Sequence, residues 1–265
     1  MATQSKGAKF FLIVLVLALI AGAYYLGTHK GDEKSEDVIV KDIEAEIPAP
    51  KVDVTINSEK KTQKVSEKTY DIDIEYPVLS SPNAGTQVKA MNARISSYIA
   101  HAKSEFIEGA TDNMLAGSEK STLTIRYKVY APAHGIETVA FDVSDYAAGA
   151  AHPNSFVGTL NFSVATGAEL SLTDLCKDSS TCLSLLVPMY RESLKKELVK
   201  RGADYDSVAI DGSAPTADNY GVFIVTEESL DVVYNPYQVA AYAFGHVRTP
   251  VAWEKVAPFL AEAYH

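Results

Sequence analysis

The chain is poor in the residues and spacings that mark most enzymes. It has two cysteines and one tryptophan in 265 residues, and its six histidines never fall in H-E-x-x-H or another metal-ligand spacing. No G-x-S-x-G elbow occurs, which excludes the nucleophile turn of an α/β-hydrolase. No glycine-rich phosphate cradle occurs either. Two S-x-x-K matches, Ser58–Lys61 and Ser193–Lys196, fall in a charged spacer and at a cationic helix end, where neither serine has a site around it. Two cysteines cannot complete a zinc site, and Cys176 and Cys182 stand too far apart for a C-x-x-C redox pair. The residues therefore name no catalytic group, metal or cofactor, and the chain reads as a binding protein rather than an enzyme.

Positive charge is also scarce. The formal net charge is −10, yet the first thirty residues hold Lys6, Lys9 and Lys30 and no acid, so the remainder carries −13. Such a surface repels phosphate backbones, which excludes nucleic acid as a partner and favours a basic protein.

Only one long hydrophobic run is present, Phe10 to Leu26, with Gly27 and Thr28 able to extend it. At about 1.5 Å of rise per residue it is just long enough to cross a bilayer. Lys6 and Lys9 precede it, so the positive-inside bias leaves residues 1–9 in the cytoplasm, residues 10–28 in the membrane and the rest outside. Ala21-Gly22-Ala23 supports a second reading, a signal peptide cleaved near Ala23 that leaves a secreted or periplasmic domain. Residues 29–68, rich in acids and carrying Pro48 and Pro50, read as a spacer.

From Thr69 to His265 the pattern is that of one folded domain. Tyr70, Ile72, Ile74 and Tyr76 alternate with Asp71, Asp73 and Glu75, a half-buried strand with a wet acidic face. Val88, Met91, Ile95, Tyr98, Ile99, Ala102 and Phe106 follow at helical spacing. Alternating runs recur at 123–129, 139–143 and 156–164. A second long helix is expected over Cys182–Arg201, then a strand pair over Gly221–Val225 and Leu230–Tyr234. Thr249-Pro250 predicts the start of a last helix running toward Ala263. The class is α+β: an antiparallel sheet with two long helices and a C-terminal helix packed against it.

In an exported chain Cys176 and Cys182 are expected to form a local disulfide that staples the turn before the second helix. Of the histidines, His152 stands apart because it lies in the small-residue loop Gly149-Ala150-Ala151-His152-Pro153-Asn154, where function often resides. Fifteen tyrosines are present, and Tyr234, Tyr237 and Tyr242 crowd one loop with Asn235 and Pro236. They either pack the domain's own core or anchor a ligand.

These two loops carry a family resemblance. Gly149–Asn154, followed by Leu160-Asn161-Phe162 and Thr166-Gly167-Ala168-Glu169-Leu170-Ser171-Leu172, resembles a "GGAHPN" loop with its following strand and turn. Phe223–Leu230 and Asn235–Gly245 resemble the second signature of the same extracytoplasmic bacterial domain. That family includes the ectodomains of RsiV-like anti-sigma factors, which bind lysozyme, and the N-terminal domains of certain peptidoglycan deacetylases. The sequence departs from it at Ala241, where a second proline is usual, and at Cys176, where an aromatic is usual. An anti-sigma role also requires a folded cytoplasmic segment, and only nine residues are expected there. The resemblance implies a binding module at the cell envelope with a lysozyme-like protein or cell-wall glycan as ligand. The alternative it implies is an accessory or degenerate peptidoglycan-modifying protein. By analogy with the motif loops, the candidate contacts are His152, Asn154, Pro236, Tyr237 and Tyr242.

Overall fold

The computed structural model describes residues 55–112 and 119–265. The expected anchor at Phe10–Thr28 and most of the spacer lie outside the described residues. Among the described residues no helix is long and apolar enough to cross a membrane.

Five strands form the first sheet in chain order: β1 (Asn57–Ser66), β2 (Tyr70–Ser80), β3 (Ser121–Ala133), β4 (Ile136–Tyr146) and β5 (Asn154–Ser163). The helix α1 (Gly85–Asp112) lies between β2 and β3 in the chain. That connection makes β2 and β3 parallel, whereas the other pairs are antiparallel. The expectation of a wholly antiparallel sheet is corrected at this pair, because a helical crossover returns the chain in the same direction.

The alternation in β2 gives the expected two faces. Ile72 and Ile74 are buried with Val88, Met91, Ile95 and Ile99 of α1 and with Leu123, Ile125, Val139, Phe141, Leu160 and Phe162. On the other face Asp71 pairs with Lys120 (2.9 Å), Asp73 with Arg126 (2.9 Å) and Lys64 (3.4 Å), and Glu75 with Lys60 (3.2 Å). Two of these cations come from β1, which lies within the stretch read as spacer and pairs with β2 over its whole length.

A second sheet covers part of that polar face. It comprises β6 (Phe223–Val225), β7 (Ser229–Tyr234) and β8 (Val247–Ala252), all antiparallel. β6 meets the first sheet through side chains. Thr159 Oγ1 accepts from the Phe223 amide (3.2 Å), Thr138 Oγ1 accepts from the Val225 amide (3.4 Å), and Asn161 Nδ2 donates to the Phe223 carbonyl (3.0 Å). Thr138 Oγ1 also donates to Asn161 Oδ1 (2.7 Å). These buried polar groups therefore satisfy one another and define how the two sheets meet.

The second core lies between this sheet and α2 (Cys182–Lys200), whose Leu186, Tyr190, Leu194 and Leu198 are buried with Leu230, Val232, Tyr234, Val247 and Val251. Cys176 and Cys182 are disulfide-bonded at the start of α2, as expected. The predicted C-terminal helix is reduced to α4 (Trp253–Val256) followed by two single 3₁₀ turns; the short helix α3 (Ser207–Gly212) precedes β6. Thr249 and Pro250 do not start a helix: they lie in β8, an edge strand where an exposed proline costs no ladder bond on its free side.

Among the described residues one buried carboxyl group has neither oxygen partnered. Glu137 of β4 is 1% exposed, and neither carboxyl oxygen receives a hydrogen bond. Burial pushes its pKa up to about 8.

Candidate functional site

The tyrosines divide by location. Tyr190, Tyr220 and Tyr234 are fully buried, with ring centroids 5.8 Å (Tyr190–Tyr220) and 6.1 Å (Tyr220–Tyr234) apart, and belong to the second core. Tyr237 and Tyr242 leave that core and meet His152 at the surface. The His152 and Tyr242 rings stack at 4.2 Å with 26° between planes, and Tyr237 lies 5.5 Å from Tyr242 at 34°. Tyr242 is the shared member of the block, and Tyr237 is 51% exposed.

The first loop is shaped by a turn closed from the Ala150 amide to the Ala147 carbonyl (2.9 Å), with Gly149 at φ +82°. Only glycine adopts that conformation freely. The turn delivers His152 and Pro153 to the surface, and the Pro153 carbonyl becomes the hub. It accepts the Tyr242 hydroxyl (2.8 Å) and stands 2.9 Å from His152 Nδ1. Because a carbonyl only accepts, His152 carries its proton on Nδ1, which leaves Nε2 as the nitrogen free to face a ligand.

The second loop is clamped to β5 by Asn235. Its Oδ1 accepts from the Val157 amide (2.7 Å) and its Nδ2 donates to the Val157 carbonyl (3.1 Å), which copies a strand pairing with one side chain. Gln238 Oε1 accepts from the Asn235 amide (3.1 Å), while its Nε2 donates to the carbonyls of Gly212 and Asn219 (both 3.1 Å). Gly212 is required there, since a Cβ would lie 1.7 Å from the Gln238 carbonyl oxygen. His246 closes the loop: its ring bonds to the Ser155 backbone and feels Asp142, and burial holds its pKa below the usual imidazole value. Arg201 Nη1 fixes the same segment by donating to the carbonyls of Phe244 (3.0 Å) and His246 (2.6 Å).

Held this way, Tyr237 occupies φ +69°, a left-handed conformation. For a residue other than glycine this costs of order 1–3 kcal/mol. Half-exposed, its ring recovers little of that by burial, so the conformation presents an aromatic surface at the expense of the fold.

Of the five expected contacts, the structure brings His152, Tyr237 and Tyr242 together. Asn154 is half-buried and its amide is engaged with the Asp145 carboxylate, which burial lifts above the usual carboxylate range against that bond. Pro236 is half-buried beside Tyr237. Asn235 and His246 were not among the expected residues. The Asn-Pro dipeptide signals a turn, but nothing local shows that its amide reaches a strand 78 residues away.

The fold and the site together define an α+β domain with a surface aromatic block built from two loops distant in sequence. Residues 173–254 match the model of a family described as "Protein of unknown function (DUF3298)". The chain is 21% identical over 261 residues to the peptidoglycan-N-acetylmuramic acid deacetylase PdaC of Bacillus subtilis (strain 168), a match covering 98% of this chain and 52% of that protein. The chain thus spans about half the length of that relative. Among solved structures it is similar to a DUF3298 family protein from Pseudomonas aeruginosa PAO1, with a TM-score of 0.53 and 12% identity over 80% of this chain and 96% of that one. A DUF3298 family member from Bacteroides fragilis NCTC 9343 gives a TM-score of 0.48 and 16% identity over 80% and 95%. The first likeness supports the fold.

Proposed function

We propose that this protein is a binding module of the bacterial cell envelope, held outside the membrane by Phe10–Thr28, and that its ligand is cell-wall glycan. The observation that carries the reading is the exposed His152–Tyr242–Tyr237 block, with Tyr237 kept at φ +69°. Rigid aromatic rings bury the apolar faces of sugars at low entropic cost, and the Tyr237 hydroxyl and His152 Nε2 remain to bond sugar hydroxyls. The relative named for peptidoglycan deacetylation supports the choice of polymer, since its similarity runs along almost the whole of this chain. In that setting the module serves binding, alone or as an accessory to wall modification, and not catalysis.

A second reading, a basic lysozyme-like protein as ligand, has its own observation. Asp204, Asp206, Asp211 and Asp218 are exposed on the loop carrying α3, together with Val208 (47%) and Ile210 (46%), and Gln238 ties that loop to the one bearing Tyr237. Co-sedimentation with purified peptidoglycan sacculi, beside calorimetry with lysozyme at low salt, separates the two. The glycan reading expects sedimentation that falls about tenfold or more in a Tyr237→Ala variant whose fold is confirmed by circular dichroism. Undiminished sedimentation by that variant refutes it, and a lysozyme complex without sacculus binding favours the second reading.

A further inference from the structure

We propose that this site reads the acetamido group of an N-acetylated amino sugar, with His152 Nε2 accepting its N–H. This rests on the glycan reading and deepens it from a polymer to one substituent on that polymer.

The protons of two of the three rings are committed inward. The Tyr242 hydroxyl donates to the Pro153 carbonyl (2.8 Å), and His152 Nδ1 donates to the same oxygen (2.9 Å). One backbone carbonyl thus takes the donors of both rings. What remains to them are lone pairs: His152 Nε2, bare in this tautomer, and the spare acceptor capacity of the Tyr242 oxygen. Turning either donor outward would break a bond to Pro153, so these roles are fixed by the loop itself. Tyr237 differs. Among the described residues its hydroxyl has no hydrogen-bond partner, so it can donate as well as accept.

A ligand here meets acceptors set beside aromatic carbon. A sugar hydroxyl both donates and accepts but carries no apolar end, and a free ammonium brings donors alone. An acetamido group matches all that the block offers. Its N–H only donates, as Nε2 requires. Its methyl finds ring carbon on Tyr237, which is half-exposed and held 5.5 Å from Tyr242, and on the exposed His152, whose ring is stacked 4.2 Å from that of Tyr242. Its carbonyl accepts from the Tyr237 hydroxyl. One such hydrogen bond is worth about three- to tenfold in affinity. Because His152 and Tyr242 are locked through Pro153 before the ligand arrives, little of that gain is lost to ordering.

The test is calorimetric titration of the purified full-length chain, at neutral pH, with the β-1,4-linked tetramers of N-acetylglucosamine, glucosamine and glucose. The N-acetylated tetramer should bind about threefold or more tighter than either of the others. His152→Phe keeps a ring on Tyr242 but has no acceptor, and should bring the N-acetylated and glucose tetramers to parity. In nitrogen-15 NMR of the wild type, the Nε2 signal of His152 should move on adding the N-acetylated tetramer while Nδ1 stays on Pro153. Equal affinity for the N-acetylated tetramer and either other, a preference that persists in His152→Phe, or an unmoved Nε2 signal overturns the proposal and leaves the glycan reading standing. Sedimentation with sacculi without binding of any tetramer does the same. Loss of both sacculus and tetramer binding overturns the two together. Circular dichroism confirms the fold of His152→Phe, and the wild-type ranking and Nε2 signal judge the proposal should that variant fail to fold.

Discussion

Glu137 makes a quantitative prediction about the fold. It is 1% exposed, its carboxyl oxygens have no partners, and its pKa stands near 8 against an ordinary 4.5. The folded state therefore keeps this proton over a range in which the unfolded chain has released it. The sign follows directly: stability is fully present below about pH 4.5, falls as pH rises, and levels off once the folded carboxyl ionises near pH 8. A shift of this size, at about 1.4 kcal/mol per unit, amounts to a loss on the order of 5 kcal/mol. That is a large share of the roughly 5–15 kcal/mol that stabilises a typical domain. Glu137→Gln keeps the shape and removes the titration. Urea unfolding followed by the fluorescence of Trp253, the chain's one tryptophan and a buried one, reports the difference between wild type and variant at pH 5 to 9. Other titrating groups, His246 among them, are common to both proteins and cancel. The difference should grow in favour of the Glu137→Gln variant across the range and flatten above pH 8. Parallel stability curves would show that Glu137 ionises without penalty and that the burial argument is wrong.

Two further substitutions test the site and the junction between the sheets. Tyr237→Gly relieves the left-handed backbone and deletes the ring, so thermal unfolding should show stabilisation of about 1 kcal/mol while sacculus binding falls; a destabilised variant would mean that the ring serves packing. Asn161→Ala strands the Phe223 carbonyl and the Thr138 hydroxyl inside the junction, and urea titration should show a loss of about 2–4 kcal/mol.

Much of this architecture is legible in the sequence wherever burial is one-sided. β2 declares itself by Ile72 and Ile74 against Asp71 and Asp73, and α1 by its apolar stripe, because a half-buried element must alternate at its own period. β1 is invisible for the same reason: its residues are exposed nearly throughout, so it is held by backbone pairing and by Lys60 and Lys64, which composition alone assigns to a spacer. At Thr249-Pro250 two local signals compete. The helix-start dipeptide is overruled by the Val247, Thr249, Val251 alternation, whose side chains are all buried in β8. The parallel pairing of β2 with β3 is a tertiary fact that no single strand encodes. At the site, the His152 and Tyr237–Tyr242 loops are visible as punctuation of small residues and prolines. Their meeting is not, because it depends on Asn235 and His246 reaching β5 and Tyr242 reaching Pro153 just before it, about eighty to ninety residues earlier in the chain. Asn154 is a polar residue of the first loop whose amide is engaged with Asp145, a pairing that the local sequence does not show.

The most direct test of the central claim is aromatic-ring NMR of the purified chain titrated with soluble peptidoglycan glycan fragments. The account predicts that the ring signals of His152, Tyr237 and Tyr242 shift together with one saturation curve, while those of the buried Tyr190, Tyr220 and Tyr234 stay in place. Unmoved surface rings in a titration that shifts signals elsewhere would contradict it.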